Sequence, residues 1–234
     1  MRDLWASAVA PWAPDRPIDL DAEARVSGGL RRLALLYAPA VLLLLAVAVI
    51  AAATGIPPPK FTLDPAVLAG THPLLGVVSN IGVLLWAAAA AVSLFTATLL
   101  HRPGEERQRR AFLLAAGLLT AWLLLDDFFL LHEWLFPSVL GVPQTLVLAT
   151  YAGLAALFLL RFAALILRTD YLPLALAAAF FAASIAIDQL PHAWFAWNYL
   201  YLIEDGCKLL GIVGWLGYFA NACARFLDER GTRS

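Results

Sequence analysis

"LLLDDFFLLHEW", residues 123–134, sets two carboxylates, an imidazole and a third carboxylate in a run otherwise apolar enough to cross a membrane. A charge at that depth costs roughly 2.5–3.5 kcal/mol on insertion scales, so ionisable residues there face a partner, an ion or a water-filled cavity. The stretch therefore predicts membrane helices, and it directs the search for chemistry to Asp126, Asp127, His132 and Glu133.

The rest of the chain agrees with the first of these readings. Of its 234 residues 62% are hydrophobic and 14% charged, with a mean hydropathy of +0.79. A soluble domain is about half apolar and a quarter charged, so this composition belongs to an integral membrane protein in contact with the lipid bilayer. The net charge of -1 and the lack of a long basic tract exclude nucleic acid as a partner. Cys207 and Cys223 fall on one expected helix, about 24 Å apart at 1.5 Å per residue, which rules out a disulfide between them.

Residues 1–30, opening "MRDLWASAVAPWAP", lack the apolar core of a cleaved signal and read as a cytoplasmic tail. Trp5 and Trp12 are spaced to share a helical face, so a short helix on the membrane surface is the alternative. Residues 31–227 form the membrane domain and residues 228–234 a second cytoplasmic tail. Six stretches are near the roughly 20 residues a bilayer requires: 31–54, 74–100, 111–136, 143–168, 171–190 and 203–227. The expected fold is thus an all-α bundle of six transmembrane helices. Fourteen of the sixteen Lys and Arg fall on one side of this topology, leaving Lys60 and Lys208. The positive-inside rule then makes both termini cytoplasmic.

With orientation assigned, each polar residue acquires a depth. Asp126 lies just past the middle of the third span, and His132 and Glu133 approach the outer surface. The fifth span brings Ser184 and Asp188 to the outer end, with His192 just beyond Pro191. The sixth opens with "IEDGCKLLG", which sets Glu204, Asp205 and Lys208 at that level, and "THPLLGVVSNIG" sets Ser79 and Asn80 one to two turns below it. Polar residues from four helices gather in the outer leaflet, the periplasmic or extracellular side in a bacterial inner membrane.

Helical spacing sorts these residues. Asp126 and Glu133 are seven apart and share a face, whereas Asp127 is turned by about 100° toward a different neighbour. Glu204 and Lys208 form an i,i+4 pair in the favourable order. Structural roles compete with functional ones: Asp127 as a hydrogen-bonding helix contact, Ser79 and Asn80 as interhelical glue, and Gly211, Gly214 and Gly217 as sites of close packing. His72 and His101 sit at helix ends as interfacial residues, and Trp194, Trp197 and Tyr201 read as an aromatic belt.

The cluster as a whole resists a purely structural account. Seven acids, Asp64, Asp126, Asp127, Glu133, Asp188, Glu204 and Asp205, face the outer half against two lysines. Buried carboxylates without cations must be protonated, hydrated or metal-bound. Imidazoles with carboxylates suit Zn²⁺, Mn²⁺ or Fe²⁺; carboxylates with Asn and Ser oxygens would suit Ca²⁺ or Mg²⁺. His132, Asp188 and His192 are the expected ligands.

No complete catalytic motif accompanies them. "HEWLF" lacks the second histidine of HExxH, and neither GxSxG nor a Gly-rich phosphate loop is present. A serine hydrolase would need Ser79 or Ser184 to meet His132 or His192. Adjacent acids on one helix, Ser79 and Asn80 on another and scattered histidines resemble the principle of the site in the alkaline-ceramidase and adiponectin-receptor superfamily of intramembrane zinc amidases. Those proteins have seven spans, a Ser-x-x-x-His motif and a final HxxxH helix. This chain reads as six spans, has no His at that spacing from Ser79 and ends on a His-free helix, so the resemblance stops at the principle.

Three functions follow as expectations. The first is a metal-dependent hydrolase of a lipid or lipid-linked substrate. His132, Asp188 and His192 would hold the metal, Asp126 or Glu133 would be the general base, and Asn80 or Lys208 would stabilise developing negative charge. The second is a proton or cation pathway gated at Asp126. The third is a non-catalytic subunit whose acidic patch docks a protein partner.

Overall fold

In a computed structural model, residues 20–100, 104–189 and 199–231 are described, and among them every regular element is a helix. The chain divides into two compact units, Met1–Pro73 and Leu74–Ser234.

The first unit holds α1 (Leu20–Thr54), α2 (Pro59–Thr62) and α3 (Pro65–Ala69). The apolar segment Leu36–Thr54 of α1 is long enough to cross a membrane, and its Leu42, Leu43 and Leu44 are exposed, as suits a lipid-facing surface. Asp64 caps α3 by accepting the Ala66 N–H at 2.7 Å, and Gly70 closes the helix at φ 62°. Counted in sequence among the acids of the polar end, Asp64 serves here as a local cap.

The second unit contains α4 (Val77–Leu99), α5 (Glu105–Phe129), a π-helical turn (Leu131–Leu135), α6 (Phe136–Leu140), α7 (Gln144–Ile166), α8 (Leu172–Asp188) and α9 (Tyr199–Gly231). Five described segments are membrane-length: Leu36–Thr54, Val77–Leu99, Glu106–Phe129, Gln144–Ile166 and Leu200–Arg230. The fifth expected span appears as α8, whose 17 residues are shorter. The stretch 190–198 after it lies outside the described residues, and so do His192, Trp194 and Trp197.

Packing in this unit runs α8 to α9, α9 to α4, α4 to α5 and α5 to α7. Lipid offers no hydrophobic drive for helices to associate, so close fit must do it. On α9, a Cβ at Gly214 would stand 2.9 Å from the Pro173 carbonyl, and one at Gly211 would stand 2.6 Å from the Phe181 ring. These two glycines admit α8, as their spacing predicts. A Cβ at Gly217 would meet nothing within 4 Å among the described residues, so no close approach there requires glycine. Phe112 stands among Phe158, Phe162, Tyr218, Phe219 and Phe226, with centroid separations from 5.3 to 6.4 Å. Such pairs each contribute roughly 0.5–1.5 kcal/mol beyond their buried area.

The main departure from the sequence reading is the third span, expected to continue to residue 136. α5 stops at Phe129, and Leu130 takes the left-handed conformation (φ 53°, ψ 45°), alone among the described non-glycine residues. The Asp126 carboxylate accepts the His132 backbone N–H at 3.0 Å, drawing the chain back on itself in competition with the helical ladder. The chain then resumes as a π turn, with the Leu135 N–H reaching Leu130 O at 3.1 Å. In a straight helix Asp126 would share its face with Glu133; the fold-back makes His132 its neighbour instead.

Candidate functional site

The two adjacent acids that open the polar stretch look in different directions. Asp126 is 4% exposed, yet its carboxylate collects three donors. The His132 ring presents Nδ1 to Oδ2 at 2.5 Å, the His132 amide reaches Oδ1 at 3.0 Å, and the Tyr151 hydroxyl of α7 donates to Oδ1 at 2.8 Å. A carboxylate held this way fixes the ring's orientation and its tautomer, leaving Nε2 on the far side. There Glu133 Oε1 stands at 3.6 Å, with its side chain 49% exposed. His132 lies beyond the membrane-length segment that ends at Phe129. Burial alone would push its pKa below the usual 6.5, but the hydrogen bond and charge of Asp126, with Glu133 behind them, hold it above that value.

Asp127 faces the other side of α5. Its carboxylate accepts the Trp86 Nε1–H of α4 at 3.2 Å and pairs with the Lys208 ammonium of α9. Lys208 is thus drawn across to α5 rather than along its own helix to Glu204, the partner expected from i,i+4 spacing. The pair borders a cavity of about 20 Å³, lined by Ser79, Asp127, Asp205 and Lys208 above Gly82 and Ile212. Such a volume accommodates about one water. The structural role weighed for Asp127, a hydrogen bond to a neighbouring helix, is the one observed.

The remaining candidates divide among these two clusters and the surface. Asn80 is exposed on α4 and does not line the cavity. Ser184 is buried on α8, and the Gly211–Phe181 and Gly214–Ala177 register of the antiparallel pair sets it level with Lys208. Asp188 is half-buried at the end of α8, beside the Gln189 amide at 2.9 Å, and Glu204 is half-buried at the start of α9. Neither Ser79 nor Ser184 hydrogen-bonds His132, and His192, the other histidine open to them, lies outside the described residues. Among the described residues no three His, Cys, Asp or Glu side chains stand close enough together to hold a metal ion. The third expected ligand, His192, falls outside those residues. Cys207 and Cys223 are free thiols, as their spacing predicts.

Two members of the site escaped the sequence reading: Tyr151 and Trp86. Both are polar-tipped aromatics within membrane-length helices rather than at their ends, where such residues ordinarily anchor to the interface. That displacement was the available signal. A buried Tyr hydroxyl or Trp N–H needs an acceptor, and Asp126 and Asp127 were the acceptors nearest in depth.

No curated protein and no solved structure matches the chain. A family model described as a domain of unknown function, DUF8692, matches residues 35–222, a span that encloses every member of both clusters. The chain belongs to the DUF8692 family.

Proposed function

We propose that the protein is a metal-dependent membrane hydrolase acting on a lipid or lipid-linked substrate, with His132 as its central chemical group. The single observation that carries this reading is the buried Asp126 carboxylate holding His132 by Nδ1 while Nε2 faces the half-exposed Glu133. Histidines that bind metals commonly give their other ring nitrogen to a carboxylate in this way. The left-handed Leu130 beside it adds backbone strain of the kind that gathers at functional sites.

In this reading His132 Nε2, Asp188 and His192 provide ligands suited to Zn²⁺, Mn²⁺ or Fe²⁺. Asp126 becomes a positioning residue, since its oxygens are already engaged, and Glu133 takes the part of general base. Glu133 accepts a proton from water as the water oxygen adds to a carbonyl carbon, then passes that proton to the leaving amine or alcohol as the C–N or C–O bond breaks. The metal would polarise the carbonyl or the water. Lys208, neutralised by Asp127, steadies the helices around the site. The polar end is assigned to the periplasmic or extracellular face because arginines gather at the opposite end. A proton pathway through Asp126 has less support, as both its oxygens are taken up by Tyr151 and His132.

The test is hydrolysis of a panel of lipid amides and esters by the purified protein in nanodiscs, with Zn²⁺, Mn²⁺ or Fe²⁺ supplied. Turnover of at least one class is expected, abolished in His132→Gln and Glu133→Gln and reduced in Asp126→Asn. Turnover that survives His132→Gln in a folded sample would refute the assignment.

A further inference from the structure

The end of the second unit opposite the acids carries a cleft whose chemistry the hydrolase reading does not use. It is lined by Gln108 and Arg109 of α5, Leu165 and Arg168 at the end of α7, Thr169 of the following turn, and Arg225, Phe226 and Glu229 of α9. Its volume of about 130 Å³ is roughly ten times what one water needs.

Three guanidiniums border this space against one carboxylate. Glu229 accepts from Arg109 at 2.5 Å and from Arg225 Nε at 2.9 Å. Arg225 also donates through Nη1 to the Arg168 carbonyl at 3.1 Å, and the Arg109 guanidinium lies 4.8 Å over the Phe226 ring. These contacts position the two side chains, and those of Arg225 do not exhaust the five donors of its guanidinium. Arg168 is exposed, and its guanidinium has no ion-pair partner among the described residues. Neither Asp170 nor Asp228, the acids nearest in sequence, lines the cleft. The formal charges of the lining residues sum to plus two.

We propose that this cleft binds a phosphate group, with Arg168 and Arg225 as its principal donors and the Gln108 amide and Thr169 hydroxyl beside them. Guanidinium forks match the paired oxygens of a phosphate better than any other side chain does. Basic pockets between helices at the membrane surface are where anionic headgroups lodge. The same chemistry would accept a phospholipid headgroup or a soluble phosphate, and the two sources differ in how the ligand arrives.

The test uses the full chain in nanodiscs and two probes. Native mass spectrometry after release from phosphatidylglycerol or phosphatidylcholine nanodiscs reports retained lipid, and the thermal midpoint in phosphatidylcholine nanodiscs with millimolar inorganic phosphate reports the soluble ion. Retention of phosphatidylglycerol over phosphatidylcholine identifies a headgroup site; a midpoint raised by phosphate in neutral lipid identifies a soluble ligand. In either case Arg168→Gln is expected to weaken the effect about tenfold. Arg107→Gln, an exposed arginine at the same end that does not line the cleft, is expected to leave it unchanged. Equal loss in the two variants, no loss in Arg168→Gln, or no response to either probe overturns the proposal.

Discussion

The two ends of the second unit hold their charges differently. At the polar end, Asp126 and Asp127 are adjacent in sequence yet each is buried with its own cross-helix partners, Tyr151 and His132 for one, Trp86 and Lys208 for the other. At the arginine end a single Glu229 is shared by Arg109 and Arg225, whose side chains are 14% and 52% exposed. Burial makes the first set individually consequential, because removing one partner strands a charge where water cannot reach it. Solvent makes the exposed Arg225 nearly dispensable for stability, and leaves donors of Arg168 and Arg225 available to a ligand.

The largest effect should come from breaking the interior pair. Lys208→Met leaves Asp127 without its cation and should cost about 3 kcal/mol in reversible unfolding in mixed micelles, the low end for buried pairs because Lys208 is 35% exposed. Adding Asp127→Leu should restore most of the loss, and a double variant whose cost equals the sum of the two single costs would mean that the pair carries no coupling. Tyr151→Phe removes one donor to the Asp126 carboxylate and should cost about 2 kcal/mol in the same assay, as expected for a hydrogen bond to a charged group.

A change of opposite sign sharpens the account of the fold-back. Leu130 and Leu210 are 48% and 49% exposed, but only Leu130 is left-handed. Leu210→Gly within α9 should cost about 1 kcal/mol, while Leu130→Gly should be neutral or up to about 1 kcal/mol more stable, since glycine relieves the strained φ. Equal losses at the two positions would deny that Leu130 is strained. The smallest effect belongs to the arginine end, where Arg225→Gln should shift unfolding by less than about 1 kcal/mol and progressively less as salt is raised.

How much of this was legible in the sequence follows from which interactions are periodic. Helices long enough to span declare themselves by length and apolarity, so among the described residues five membrane-length helices and the shorter apolar α8 lie where the apolar runs fall. The 100° turn between Asp126 and Asp127 was likewise readable from helical geometry, and the structure gives the two different neighbours. The Asp126–His132 contact was not, because it depends on the chain leaving the helix at Leu130, a leucine with no local mark of a break. Lys208 was assigned to Glu204 because sequence separation sees only the same helix; its partner is 81 residues away. Tyr151 was missed for the same reason, being 25 residues from Asp126. The arginines were read only for orientation, and their meeting around a cleft required three helix ends in space.

The central claim is that His132, oriented by Asp126, presents Nε2 to a metal in a hydrolytic site. Elemental analysis of the detergent-purified protein tests it most directly, comparing wild type with His132→Gln and Asp188→Ala. Near-stoichiometric zinc, manganese or iron in the wild type, lost in both variants, is the predicted result. A folded wild-type protein that takes up none of these ions when they are supplied would contradict it.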